Sequence, residues 1–446
     1  MRVARNAQGS IFDFYSPHPV GQQLAALSEL LDDQPSLLAL VEQDLRDTNT
    51  TRTGANGLSI ESVFRCLLLK QILQVSYEKL SFHLSDSVTY RTFARLGLDQ
   101  FPSRTGLHGA IRSIRAETLE AANELLIRDL IVSGIIDIEN LRIDSTVTQS
   151  NIAPPSDSSL LEDGVRVLSR LMAKSKASTG IRLRFTDKRS DAKSLSYKIY
   201  LAKKPEKDEL YPQLLNCAIR VVKQTGSALD RIKLEGSNDE ATQCWMSKVV
   251  HYRELLLRVI DQTQRRVYGE ETVPAAEKLV SLFEPHTSII VKGERDIQYG
   301  HKINLATQLD GFITYLNIEE GNPADSNLYH PVLQACQQQY GQLPSAVVAD
   351  GCYASRENVK RANELGVKKN VFSKLVGLSL TDMGIKQKTL EKFRNFRAGV
   401  EGNISELKRA FGVSKAMWKG REGFNAFVWA STLCYNLIRT VRFSSA

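Results

Sequence analysis

Apolar positions along this chain keep a helical period, break to an alternating one, return to helical, and then mix the two. From 19 to 135 the period is helical almost throughout. "SIESVFRCLLLKQILQVS" (59–76) predicts one helix, and "SYEKLSFHLSDSVTYRTFARLGL" (76–98) predicts two short ones broken near Asp86. "SRTGLHGAIRSIRAETLEAANELL" (103–126) predicts a helix with Ser103 as its N-cap. At "IIDIENLRIDSTVTQS" (135–150) alternating β-branched residues lead into Asp144, read as the end of a strand. Residues 157–285 return to helix. From 287, "TSIIVKG", "HKINLATQL" and "GFITYLNIEEG" predict successive strands, with Asp310-Gly311 as a hairpin turn. A helix (324–341) follows, then a short strand (345–355) ending in Asp350 and a helix (356–366) closed by glycine. A strand (368–374) and a helix (388–411) come next, and "FNAFVWASTLCYNLI" reads as a core helix. Three strands followed by alternating helices and strands predict an α/β fold, a mixed sheet with helices on both faces, preceded by an all-α region.

Three acidic residues stand out in this pattern. In the 388–411 helix, Phe393, Phe396, Val400, Ile404, Leu407 and Phe411 form an apolar stripe. At about 100° per residue, Arg397, Glu401 and Lys408 point within roughly 40° of one another beside it. Glu401 therefore sits at the edge of the buried face, half desolvated and in need of cations. Arg397 and Glu401 are also an i,i+4 pair, and on this stretch alone they read first as a boundary salt bridge. Asp144 and Asp350 end the first and fourth strands, and ligands of open α/β sheets bind at strand ends beside the topological switch. Either aspartate alone would serve as a cap or turn residue. Together the three make an oxygen-only site of the kind hard divalent cations prefer. Two such ions about 3.5–4 Å apart stabilise the attacking and leaving oxygens of an in-line phosphoryl displacement.

With 446 residues the chain is too long for one ordinary core, and two or three domains are expected. Hydrophobic content of 42% and charged content of 24% indicate a soluble globular protein. A net charge of +8 suits a polyanionic partner. Between Arg166 and Lys207 there are thirteen Lys/Arg against three Asp/Glu, with Tyr197 and Tyr200 among them. Such a run is a candidate phosphate contact or a solvated face. The two short helices at 76–98, with Arg91 and Arg95 on the second and Arg104 opening the next, give a helix-turn-helix-like pattern that suits DNA. No apolar run of about 18 residues and no signal-peptide pattern is present, so a membrane role is not expected. Six scattered cysteines without a CxxC pair argue against zinc or a disulfide framework and fit a reducing cytosol. Without GxxxxGK[ST] or GxGxxG, no nucleotide cofactor is expected.

"LRIDSTVTQSNI", "HKINLATQLDGFITYLNIEEGNPAD", "VVADGCYAS" and "RAGVEGNISELKRAFGV…WKGREGFNAFVWASTLCYNLIR" resemble, in order and spacing, bacterial insertion-sequence transposases of the DDE type, which have an RNase H-like catalytic domain. "SIESVFRCLLLKQILQVSYEKLSFHLSDSVTYRTF" resembles the helical domain these enzymes carry first. The resemblance implies that Asp144, Asp350 and Glu401 are the catalytic triad and hold two Mg²⁺ or Mn²⁺ ions. One ion would activate water to cut a transposon end, and the freed 3′-OH would attack target DNA. It implies Arg397 and Lys408 as phosphate contacts. Arg394 stands where the family signature has Tyr, and Ala153 where close relatives have His. His301 and Lys302, at the start of a strand, either reach the site or face solvent. Asp325 reads as a helix N-cap rather than a fourth ligand, and Trp418 and Trp429 as core rather than base-stacking.

The resulting expectation is a helical DNA-binding domain (1–134) and an RNase H-like catalytic domain with a five-stranded sheet (135–150 and 287–446). A helical insertion (151–286), basic in its first part, would lie between the first and second catalytic strands. Only 51 positions separate Asp350 from Glu401, whereas 206 separate Asp144 from Asp350, so the insertion falls in the first interval. The family implies double-stranded DNA as partner, a homodimer on it, and a cytoplasmic, nucleoid-associated location. The alternatives are an RNase H-like nuclease without strand transfer, and a non-catalytic DNA-binding regulator.

Overall fold

The computed structural model describes residues 3, 5, 14–47, 57–97, 99–235, 238–292, 296–374 and 377–444. The chain divides into two compact units, Met1–Gln149 with His301–Ala446, and Ser150–Gly300.

The first unit opens with seven helices: α1 (Pro19–Asp32), α2 (Pro35–Asp47), α3 (Ile60–Leu73), α4 (Tyr77–Asp86), α5 (Val88–Phe93), α6 (Arg104–Arg112) and α7 (Ala116–Val132). Serines start four of them: Ser59, Ser76, Ser87 and Ser103 each accept a backbone N–H of the first turn. The single helix expected over 103–126 is two. It breaks before Arg115, whose N–H and Nε both donate to the buried carboxylate of Asp44 on α2, at 2.8 and 2.6 Å. An amide committed to that side chain cannot extend the helical ladder.

Strand β1 (Asn140–Ser150) leaves this helical region. It does not end at Asp144 but runs six residues further, so the aspartate lies inside the strand. In the second unit follow α8 (Asp157–Ala173), α9 (Ser175–Thr179), α10 (Arg189–Leu201), α11 (Lys204–Glu235), α12 (Glu240–Val267) and β2 (Ser288–Lys292). Leu161, Val165, Leu168, Leu214, Val221, Leu256 and Val259 fill their common core. Gly164 permits that packing, since a Cβ there would stand 2.5 Å from Leu256. The helix expected to reach 285 stops at Val267, where Arg265 turns back to Glu271 and Glu277 at 2.5 and 2.8 Å. β2 pairs antiparallel with the first half of β3 (Asp296–Thr307).

The first unit resumes along β3 and adds β4 (Ile313–Ile318), α13 (Tyr329–Tyr340), β5 (Ala346–Ala349), α14 (Arg356–Leu365), β6 (Lys369–Phe372), α15 (Gln387–Ala410), β7 (Lys415–Ala416) and α16 (Arg421–Ser444). β4 pairs antiparallel with β3 across a turn at Asp310-Gly311, where Gly311 takes φ +78°. β3, β1, β5 and β6 follow in order, with β1–β5 and β5–β6 parallel, and β7 on β1. The sheet is mixed, with helices on both faces. One core gathers Val347, Val348, Val371 and Phe372 with Tyr329, Val332 and Leu333 of α13 and Phe393 of α15. Another joins Ile303, Leu316, Val400 and Leu407 to α16 and to Leu67, Leu119 and Leu126 of the N-terminal helices. The first seven helices thus share a core with the end of the chain.

Candidate active site

The candidate site lies where the parallel pairing of β1 and β5 stops. The last register pair is Ile143 with Ala349. The next residues along the two strands are Asp144 and Asp350, so backbone register alone brings these aspartates side by side. α15 supplies the third acid, and its seating on the sheet is specific. Phe393, Val400, Leu407 and Phe411 of the apolar stripe are buried, with Phe396 and Ile404 half-buried. Beneath them, the buried Arg142 of β1 donates to Thr307 Oγ1 (2.9 Å), to the Phe396 carbonyl (3.0 Å) and to Asn403 Oδ1 (2.9 Å). It reaches α15 across Gly399, where a Cβ would stand 2.0 Å from the Arg142 guanidinium. This clamp fixes the helix lengthwise, and with it Glu401.

The three carboxylates meet around one guanidinium. Arg397 Nη2 donates to Asp144 Oδ2 at 2.9 Å and lies 3.9 Å from Asp350 Oδ1. Its Nη1 donates to Glu401 Oε1 at 3.1 Å. The two aspartates are largely enclosed, whereas the Glu401 side chain is 66% exposed and Arg397 only 14%. Further contacts set the aspartates. Asp144 Oδ1 accepts the Ser145 N–H at 2.8 Å, and Asp350 Oδ1 accepts the Ser373 hydroxyl at 2.8 Å. Burial works to raise the Asp350 carboxyl, but the Ser373 hydroxyl, the Gly351 amide, and the Arg397 and Lys374 charges outweigh it and hold the group below the usual carboxylate range. Mutual repulsion would have raised it; the Ser373 and Gly351 hydrogen bonds, helped by the guanidinium among the acids, give the opposite sign.

The donor set is carboxylate oxygen only, which fits a hard divalent cation by chemistry. Among the described residues no three metal-binding side chains converge tightly enough to hold an ion directly. Here Arg397 takes the cation's part, and its Nε, buried without a hydrogen-bond acceptor, is incompletely satisfied in that position.

Residues 254–437 match the family model of the transposase DDE domain. Residues 12–108 match that of a transposase domain, DUF772. This chain is an insertion-sequence transposase of the DDE superfamily. No curated protein and no solved structure matches it. The matched stretches of the transposase include Asp350 and Glu401, while Asp144 lies between them.

Of the other residues singled out in the sequence, Lys408 is half-buried two turns beyond Glu401 on α15. His301 and Lys302 lie inside β3 rather than at its start, and both are buried rather than solvent-facing. His301 stacks edgewise on Phe424, with Arg421 Nη1 2.8 and 3.0 Å from its ring nitrogens. Lys302 donates to the Pro323 carbonyl (2.6 Å) and to Asp325 (3.0 Å). Asp325 is not an N-cap: Ala324 holds that position, and the carboxylate faces Lys302 and the Ser145 hydroxyl instead. Trp418 and Trp429 are buried, as the sequence suggests.

Arg91 and Arg95 turn inward rather than toward a DNA surface. Arg91 donates to the carbonyls of Leu84, Gly97 and Gln100 and covers the Phe101 ring. Arg95, with φ +50°, pairs with Asp32 and with buried Glu61. Guanidinium donors committed to protein oxygens are not offered to phosphate. Arg104, at the start of α6, is exposed. Arg394 donates to the Ser373 carbonyl at 2.7 Å, tying α15 to the residue whose hydroxyl holds Asp350. Sequence reasoning missed Arg142, Gly399 and Ser373. Glycine directly before the Val400–Glu401 step of an otherwise sound helix was the available signal for the clamp.

Proposed function

We propose that this transposase cuts DNA at the ends of its element and joins the freed ends to target DNA, with Asp144, Asp350 and Glu401 as the catalytic carboxylates. The observation that carries the reading is the convergence on Arg397 of three acids contributed by β1, the end of β5 and α15. The order β3–β1–β5–β6, with antiparallel β4 on β3, supports an RNase H-like catalytic domain, and Ser150–Gly300 is read as a helical insertion in it. The three carboxylates would hold two divalent cations, Mg²⁺ or Mn²⁺, which supply Lewis acidity at the scissile phosphate.

The chain's own residues do the rest. Ser373, Ser145 and the Gly351 amide keep the two aspartates aimed at one point, while the exposed Glu401 closes the set from α15. Arg397, in contact with all three carboxylates, would also stand beside the reacting phosphate, with Lys408 further along the same helix. Fixed positive charge there stabilises the anionic transition state. DNA is the partner, held by a homodimer in the cytoplasm on the nucleoid. The test is incubation of end-containing duplex with target DNA and Mg²⁺. Joined strand-transfer product is expected. Nicks alone would indicate an RNase H-like nuclease without strand transfer, and DNA binding without either product a non-catalytic regulator.

A charge argument predicts opposite effects of one substitution. Arg397→Gln removes the resident cation from the carboxylates, so Mn²⁺ affinity without DNA should rise, on the order of tenfold. Cleavage should fall in the same variant, because the phosphate loses a fixed charge. Manganese titration followed by electron paramagnetic resonance reads the first effect. Unchanged affinity would mean that the guanidinium does not stand in for a metal.

The basic run of the second unit gives another expectation. Lys174, Lys176, Lys193, Lys198, Lys203 and Lys204 are exposed, and Tyr197 and Tyr200 stand out from α10 at 64% and 79% exposure. Replacing four of these lysines with glutamine should weaken binding to all duplexes alike and flatten the salt slope by about 0.9 for each lost contact. Anisotropy titrations at several salt concentrations measure both quantities. A loss confined to the element's own ends would contradict a phosphate role.

A further inference from the structure

The first unit contains a cavity of about 590 Å³ at the far end of α15, lined by Lys70, Tyr77, Arg104, Phe411, Lys415 and Trp418. Its size falls within the range of small-ligand sites. Three features of its lining are unexplained by the fold. Lys70 is 7% exposed, yet among the described residues no carboxylate pairs with it. Its ammonium sits instead over the Tyr77 and Trp418 rings, at 4.8 and 5.5 Å from their centroids. The Tyr77 hydroxyl and the Trp418 indole N–H are both buried without a hydrogen-bond partner among the described residues. Burial pushes the Lys70 ammonium down to about 8, the mark of a cation short of a counter-charge. Arg104 and Lys415 add positive charge to the lining, against the one carboxylate of Glu78. Buried donors, two aromatic rings and three cations against one carboxylate together fit a ligand that is flat, aromatic and anionic.

We propose that this cavity takes one unpaired nucleotide of the bound DNA, its base against Trp418 and Tyr77 and its phosphate toward Lys70, Arg104 and Lys415. Position favours DNA over a free nucleotide. Phe411 follows Glu401 by ten residues, about 15 Å along a helix axis. That distance matches four to five nucleotides of a duplex strand at about 3.4 Å each, with Lys408 between. Aromatic stacking is tolerant of base identity, so the cavity would recognise an unpaired base rather than a sequence. The inference rests on the transposase acting on DNA ends but not on which residues cut them.

The test uses the full chain in EDTA, so that cleavage is silent. The probes are a random 30-base-pair duplex with a three-nucleotide 3′ extension carrying 2-aminopurine, and the same duplex blunt. The extended duplex should bind about tenfold more tightly, with 2-aminopurine fluorescence quenched on binding. Lys70→Met and, at the half-buried rim, Lys415→Gln should each reduce the preference at least threefold while the blunt duplex binds within twofold of wild type. A thermal melt confirms that both variants are folded. Equal binding of the two duplexes by the unaltered chain would overturn the proposal, as would an undiminished preference in both variants. Failure to bind either duplex would remove the DNA reading itself, and the nucleotide site with it.

Discussion

Asp144→Asn, Asp350→Asn and Glu401→Gln should each lower metal-dependent strand cleavage by on the order of a thousandfold or more, while duplex binding should stay within a few-fold of the unaltered chain. The two effects separate because they rest on different groups. Transition-state stabilisation depends on oxygen ligands that place the cations, whereas affinity for DNA depends mainly on Lys and Arg contacts to phosphate. The substitutions are close to isosteric, so packing is kept. Asp350→Asn should cost some stability, since Ser373, the Gly351 amide and Arg397 favour that carboxyl in its ionised form. Cleavage assays with Mg²⁺, paired with anisotropy and thermal melts, read all three quantities. Normal cleavage by any one variant would remove that residue from the site.

Gly399→Ala should come next in effect, although residue 399 touches neither metal nor DNA in this reading. A methyl group there meets the Arg142 guanidinium at 2.0 Å. The far end of an arginine usually moves aside cheaply, but this one is buried and held by Thr307, the Phe396 carbonyl and Asn403. Displacing it would leave those groups unsatisfied, at about 1–3 kcal/mol each. The lower-cost response is for α15 to lift or slide, and Glu401 moves with it. A shift of about 1 Å in a catalytic group can cost on the order of a hundredfold in rate. The expected result is therefore a cleavage loss of about that size with a folded protein and near-normal DNA binding. Wild-type turnover would show that the clamp does not set the position of Glu401.

Strands and helices after residue 287 were readable because local pattern and tertiary environment agree there. The four-residue β5 is apolar throughout and buried throughout, and α14 begins on Ser355 and ends on Gly366. The acids were readable for a related reason: register places Asp144 and Asp350 together, and the stripe on α15 orients Glu401. What the sequence hid depends on partners distant along the chain. Arg91 and Arg95 look like surface charge until carbonyls and carboxylates of neighbouring helices claim them. The break between α6 and α7 is made by Asp44, about seventy positions earlier. β7, two residues long, has no period to detect.

The core shared by the N-terminal helices and α16 also sets a timetable for synthesis. α16 packs on α1, α3 and α7, and its Asn436 donates to the Asn123 side chain on α7 at 2.8 Å. It is translated about 350 residues after α3, a delay of roughly 20–70 s at bacterial and eukaryotic elongation rates. Until then the parts of α3 and α7 that α16 buries lack that cover on the nascent chain. A ribosomal product that stops short of α16 would present those faces to chaperones and proteases, instead of persisting as a free N-terminal fragment.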